Sequence, residues 1–151
     1  MLRNLGAVFL ALPLCLMAAA DPFSGAWTLN LSKSKLPPPL PHSQIVHIKA
    51  NREGVEIREE IVNEAGHRMR VTVRAKFDGK DYPVSGSPFA DSVAYQRINS
   101  HTLKGVAKKA GKVVTTETAT VSPDGRTLTG AYTGTDATGK QVDAVAVFER
   151  K

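Results

Sequence analysis

Few residues in this chain have the type and spacing that chemistry requires. His42, His47, His67 and His101 stand far apart, without His-x-His or His-x-x-x-His spacing, and Cys15 is the sole cysteine. Metal ligands converge from close spacings, so no metal site is expected and the histidines read as surface or rim residues. Gly86-Ser87-Pro88-Phe89 lacks the second glycine of a G-x-S-x-G elbow, and Pro88 removes an amide that an oxyanion would need. The stretch 85–90 reads as a rim loop. No glycine-rich cradle opens a helix, so neither a phosphate site nor any other cofactor is expected. Arg68, Arg70, Arg74 and Lys76 alternate with Met69, Val71, Val73 and Ala75. A nucleic-acid groove would interleave aromatic platforms with such charges, so this is a solvated outer face and no nucleic-acid partner is expected.

The polar residues that share the apolar parity are more informative. Glu59 falls between Ile57 and Ile61, Arg97 follows Val93 and Tyr95 at period two, and Tyr132 shares a strand with Leu128 and Gly130. A buried charge needs a partner, and a Glu59–Arg97 pair would supply one. Alternatively Arg97, with Tyr95 and Tyr132, would hold the carboxylate of a fatty-acid-like ligand, to which the guanidinium fork is suited. A third reading leaves these side chains in water at a barrel end. An enzyme would have only Glu59 and Arg97 to work with, so no catalytic residue is assigned.

The elements that must carry these residues are strands. From Ser43 onward apolar residues alternate with polar ones, punctuated by Ala65-Gly66, Asp78-Gly79, Ala110-Gly111, Asp124-Gly125 and Thr138-Gly139. Each glycine supplies the positive φ of a tight hairpin. About ten strands follow from that count: 26–31, 44–50, 55–62, 67–77, 80–85, 92–98, 102–109, 112–121, 126–135 and 140–149. Hairpin registers pair Ile61 with Met69, Ile57 with Val73, Glu60 with Arg70, Glu56 with Arg74, Val73 with Val84 and Lys76 with Asp81. Further on they pair Ala107 with Val114, Lys104 with Glu117, Thr116 with Tyr132, and Leu128 with Phe148. A meander with one apolar side and no helix to cover it closes into an up-and-down barrel. Its inward residues are small on the last four strands, which predicts either a flattened interior or a cavity for one apolar ligand. The residues expected around such a ligand are Glu59, Val71, Val73, Tyr82, Tyr95, Arg97, Thr116, Thr118 and Tyr132.

Residues 1–20 carry Arg3, an apolar run from Ala7 to Met17 and the exit Ala18-Ala19-Ala20. That is the layout of a secretory signal cut after Ala20, too short and too interrupted by Pro13 to anchor in a bilayer. Residues 21–151 are expected to form one domain, secreted or periplasmic, without a transmembrane segment after cleavage. Without Arg3, 19 Lys plus Arg face 14 Asp plus Glu, a formal +5, which favours solubility or weak contact with an anionic envelope surface. The proline-rich stretch 33–42 cannot pair in a ladder and reads as an extended connector.

Phe23-Ser24-Gly25-Ala26-Trp27-Thr28-Leu29-Asn30 at one end and Val147-Phe148-Glu149-Arg150 at the other resemble the opening and closing strands of lipocalins and their calycin relatives. More closely, Asp21 to Asn30, Lys33-Ser34-Lys35 and Phe77 to Pro88 resemble a group of small exported lipocalin-like bacterial proteins. The resemblance implies a closed barrel in which Arg150 stacks on Trp27 and the interior holds a ligand. The helical pair of fatty-acid-binding proteins is replaced here by the proline connector, and the disulfides common in lipocalins are absent. The expectation is therefore an all-β, antiparallel meander closed as a lipocalin-like barrel, acting as a non-catalytic exported binder of a small hydrophobic or lipid-like molecule. The alternative is a ligand-free structural or interaction domain of the envelope.

Overall fold

The computed structural model describes residues 19–135 and 138–151, so all but the last two residues of the expected signal lie outside the described residues. Ten strands follow one another: β1 Gly25–Leu29, β2 Ser43–Ala50, β3 Gly54–Val62, β4 Arg68–Lys76, β5 Tyr82–Ser85, β6 Ser92–Asn99, β7 Thr102–Lys109, β8 Lys112–Val121, β9 Thr127–Thr135 and β10 Gln141–Arg150. Each pairs antiparallel with its neighbours in sequence, and β1 also pairs with β10 through Trp27↔Arg150, so the sheet is a closed barrel. Closure removes the exposed edges that a ten-strand sheet would otherwise present. A single 3-10 turn, Leu31–Lys33, follows β1, where Asn30 accepts from the Lys33 amide. It falls in a stretch read from the sequence as strand and connector.

The β3–β4 register is as expected, with Ile57↔Val73, Ile61↔Met69, Glu56↔Arg74 and Glu60↔Arg70. Arg74 ion-pairs with Glu56, and Arg68 and Arg70 share Glu60. Exposed pairs of this kind contribute about 0–1 kcal/mol each, so they record the register more than they hold it. Three pairings differ from expectation. β5 has four residues and pairs with β4 only at Thr72↔Ser85 and Val73↔Val84. Beyond it Asp78 bridges directly to Gln96 of β6, and Asp81 turns to Lys108 at 2.8 Å instead of Lys76.

The β7–β8 turn is the expected two-residue Ala110-Gly111, with φ of 49° and 77° and Lys109↔Lys112 beside it. One extra residue then enters β8, because Lys108 pairs with Val113 while Ala107 pairs with Thr115. The bulge shifts every later partner: Lys104 meets Thr118, and Gly105 meets Glu117. The β8–β9 connection is also one residue longer than expected, closed by Ser122 N–H to Thr127 O at 2.9 Å. Glu117 therefore pairs with Tyr132, and Val121 with Leu128. The last hairpin returns to the expected register, with Leu128↔Phe148, Gly130↔Ala146 and Tyr132↔Ala144.

One end of the barrel is sealed. Residues Asp21–Ser24 run across it, and Phe23 and Trp27 are 1% and 0% exposed. The indole Nε1–H donates to Phe23 O at 2.9 Å, and Arg150 lies 4.2 Å over the Trp27 ring. The same guanidinium donates to the carbonyls of Pro22, Ser24 and Gly125 at 2.6–2.8 Å. Gly25 is dictated by that contact. Its φ is +144°, and a Cβ would sit 2.3 Å from Arg150 Nη1.

Candidate functional site

Inside the barrel lies a hollow of about 680 Å³. It is off-centre, and the strand sequences explain why. On β4, β5 and β6 the inward residues Val73, Ala75, Val84 and Val93 pack with Phe77 and Tyr82 against one another. Across the barrel the inward residues are Gly105, Ala119, Gly130, Gly134, Ala144 and Ala146, too small to reach the opposite wall. The hollow therefore borders β2, β3 and β8–β10, with Tyr95 and Leu103 closing its side. At the end opposite Trp27 it is bordered by Pro37, Pro38 and Thr135, all exposed, so it reaches solvent there. Lys35↔Val145 holds the proline connector beside that mouth.

The walls are apolar apart from a few groups: Glu59, Glu117, Gln44, Tyr95, Tyr132 and Thr115. Among the described residues no lysine, arginine or histidine borders the hollow. Glu59 projects from β3 opposite Val46 and Val71, and Gln44 of β2 donates its side-chain amide to Glu59 Oε1. Glu117 projects from β8 opposite Gly105. A Cβ at Gly105 would lie 2.8 Å from Tyr95 Cε1 and 3.5 Å from Glu117 Oε2, so the missing side chain makes room for both. Gly130 does the same for Tyr132, whose ring a Cβ there would meet at 2.8 Å.

Both glutamates are half-buried and border the hollow. Loss of hydration pushes the Glu117 carboxyl up to about 7; a hydrogen bond from Tyr132 opposes the rise, and the neighbouring Glu59 charge adds to it. Burial likewise raises Glu59, against the hydrogen bond from Gln44. Tyr95 and Tyr132 are raised well above the usual phenol range, first by burial and then by the two glutamates. The two tyrosines therefore stay protonated and are available as donors. Tyr132 is engaged with Glu117, whereas the hydroxyl of Tyr95, a residue 9% exposed, has no hydrogen-bond partner among the described residues.

Of the residues expected around a ligand, Glu59, Tyr95 and Tyr132 border the hollow. Val71 and Val73 face inward and are buried, but they stand on the filled side. Tyr82 packs there too, with its hydroxyl on Asp78 Oδ2 at 2.8 Å. Thr116 and Thr118 are on the outer face: the β8 bulge turns them out and turns Thr115, Glu117 and Ala119 in. Arg97 does not reach the hollow. Near the end of β6, at the sealed end, its Nη2 lies 2.6 Å from Asp21 Oδ2 and 3.2 Å from Asn51 O, and Nη1 donates to Ser100 O. Its guanidinium carbon lies 4.6 Å over Phe77 and 5.7 Å over Phe23. The expected Glu59–Arg97 pair is therefore not formed, nor is the carboxylate clamp, because Asp21 lies closer to Arg97 than any cavity residue.

Glu117 and Gln44 were not expected here, yet the sequence holds a trace of Glu117. Across Thr116 to Val121 the even positions are all threonine, while the odd ones run Glu117, Ala119, Val121. The apolar parity was the odd one, masked by the attractive opposition of Lys104 and Glu117. No protein-family model and no curated protein matches the chain.

Proposed function

We propose that the chain is an exported, non-catalytic binding protein that holds one small hydrophobic or amphipathic molecule inside a lipocalin-like barrel. The observation that carries this reading is the hollow itself. At about 680 Å³ it falls within the size range of small-molecule sites, it is apolar with a few polar groups, and it opens at one end. Interiors otherwise pack densely, so space of this size on one side of a well-packed barrel asks for an occupant. The G-x-W opening and the Arg150 stack support the calycin likeness, and the signal-like first twenty residues support export to the periplasm or beyond. The basic balance of residues 21–151 supports no more than weak contact with an anionic surface.

An uncharged, environment-sensitive apolar dye titrated into the protein tests the reading. One saturable site with blue-shifted emission is expected, and it is lost in Ala119→Trp, which fills the hollow from β8. No saturable binding, or binding that the filled variant retains, would favour the ligand-free envelope domain instead.

A further inference from the structure

We propose that the occupant is a cationic amphiphile: a protonated amine on an apolar body, its head held between Glu117 and Glu59 and its body along the wall of β2, β9 and β10. This rests on the binding reading above and specifies its chemistry.

Charge is the first ground. Two carboxylates border a mostly apolar hollow, and among the described residues no cationic side chain borders it to neutralise either. Arg97 and Arg150 are both committed at the sealed end, Arg97 to Asp21 and Arg150 to the Trp27 ring and three carbonyls. A fatty-acid head would bring a third carboxylate next to two, without the fork that carboxylate recognition uses. An ammonium head instead supplies the missing counter-charge where water is scarce and the attraction is least screened.

Tyr95 is the second, independent ground. Its hydroxyl makes no hydrogen bond, although the residue is nine-tenths buried and borders the hollow near both glutamates. The oxygen is not itself sealed off, so it faces the open hollow with its hydrogen-bonding capacity unused. A phenol oxygen accepts from an N–H as readily as it donates. Glu117, Glu59 and Tyr95 together present acceptors from three different strands to one donor-rich head. Gln44 and Tyr132 are already engaged, holding Glu59 and Glu117 in place.

The exterior opposes this preference but does not outweigh it. Residues 21–151 carry a formal +5, spread over the surface. Salt screens such charges beyond about 8 Å at physiological ionic strength, whereas the enclosed pair is screened far less. The basic outside slows a cation's approach; the acidic inside decides whether it stays.

Binding of an ammonium requires at least Glu117 to ionise, so below about pH 7, where that carboxyl is largely protonated, complex formation expels a proton. The groups facing Glu117 are Glu59 from β3, Tyr95 from β6 and Tyr132 from β9; both tyrosines stay protonated, so the proton comes from the glutamates. Amine affinity should then fall as the pH drops from 8 to 6.

The test is calorimetric titration of the purified protein with decylamine, decanol and decanoate, each below its aggregation threshold. Decylamine should bind at least tenfold more tightly than decanol, and decanoate most weakly. The amine enthalpy should change with the ionisation enthalpy of the buffer, showing proton release, and decanol should show none. Glu117→Gln should bring amine affinity down to that of decanol, and a retained cooperative unfolding transition shows that the variant is folded. Tyr95→Phe, a second variant, should weaken the amine severalfold and lower its preference over decanol. If the three ligands bind equally, or decanoate binds best, the cation proposal fails while the binding reading stands. If none binds and the dye finds no site, both fail.

Discussion

Replacing Glu117 with glutamine removes a strongly perturbed carboxyl from the wall of the hollow. The side chain keeps its size and still accepts from Tyr132, but it no longer has a charge to bury. In the wild type the carboxyl is raised from 4.5 to about 7. Below pH 4.5 it is protonated in both folded and unfolded chains and costs nothing. Between 4.5 and 7 the unfolded chain ionises while the folded one resists, so stability falls as pH rises, and above 7 the loss is constant. At 1.36 kcal/mol per pH unit of difference, the loss amounts to about 3 kcal/mol. Glu60 and Asp124 act in another window: hydrogen bonds from Arg70 and Ser122 hold them low, so their contribution is lost only at acid pH. Urea unfolding of both proteins from pH 4 to 8 should give nearly equal midpoints at pH 4 and a variant about 2–3 kcal/mol more stable at pH 8, with unchanged m-values. A difference that stays flat across that range, or a variant less stable at pH 8, would refute an enclosed, uncompensated Glu117.

The sealed end yields two further predictions. Arg150→Gln removes the stack on Trp27 and leaves three carbonyls underused, which should cost on the order of 2 kcal/mol and shift the Trp27 near-ultraviolet circular dichroism. Gly25→Ala should cost at least as much through its clash with Arg150, and Gly25→Ala combined with Arg150→Gln should cost less than the sum of the two. The Arg97–Asp21 pair, largely enclosed, should show a coupling of about 1–2 kcal/mol in a double-mutant cycle using Arg97→Met and Asp21→Asn.

Sheet order and closure were legible because they rest on local signals. Period-two alternation and glycine turns name the strands, and the likeness of the two end strands to those of calycins implied the Trp27–Arg150 contact. The β3–β4 register was legible because Glu56, Glu60, Arg70 and Arg74 mark it by charge. The interior was less so. One inserted residue in β8 is enough to exchange Thr116 and Thr118 for Thr115 and Glu117, and no turn residue announces a bulge in mid-strand. The position of Arg97 was hidden for another reason. Its partner, Asp21, comes from a segment that pairs with nothing in the sheet and reaches Arg97 only because the chain start folds across the sealed end. Val71, Val73 and Tyr82 were expected beside a ligand because parity gives the face, whereas packing decides which part of that face stays empty.

The presence of an occupant can be weighed directly. Native mass spectrometry of the protein, purified from its own cells without detergent, should show a discrete mass above that of the bare chain, released on denaturation and carrying a basic nitrogen. A spectrum of the bare chain alone, together with an unchanged melting temperature across amines, alcohols and acids of matched length, would contradict an interior built to be filled.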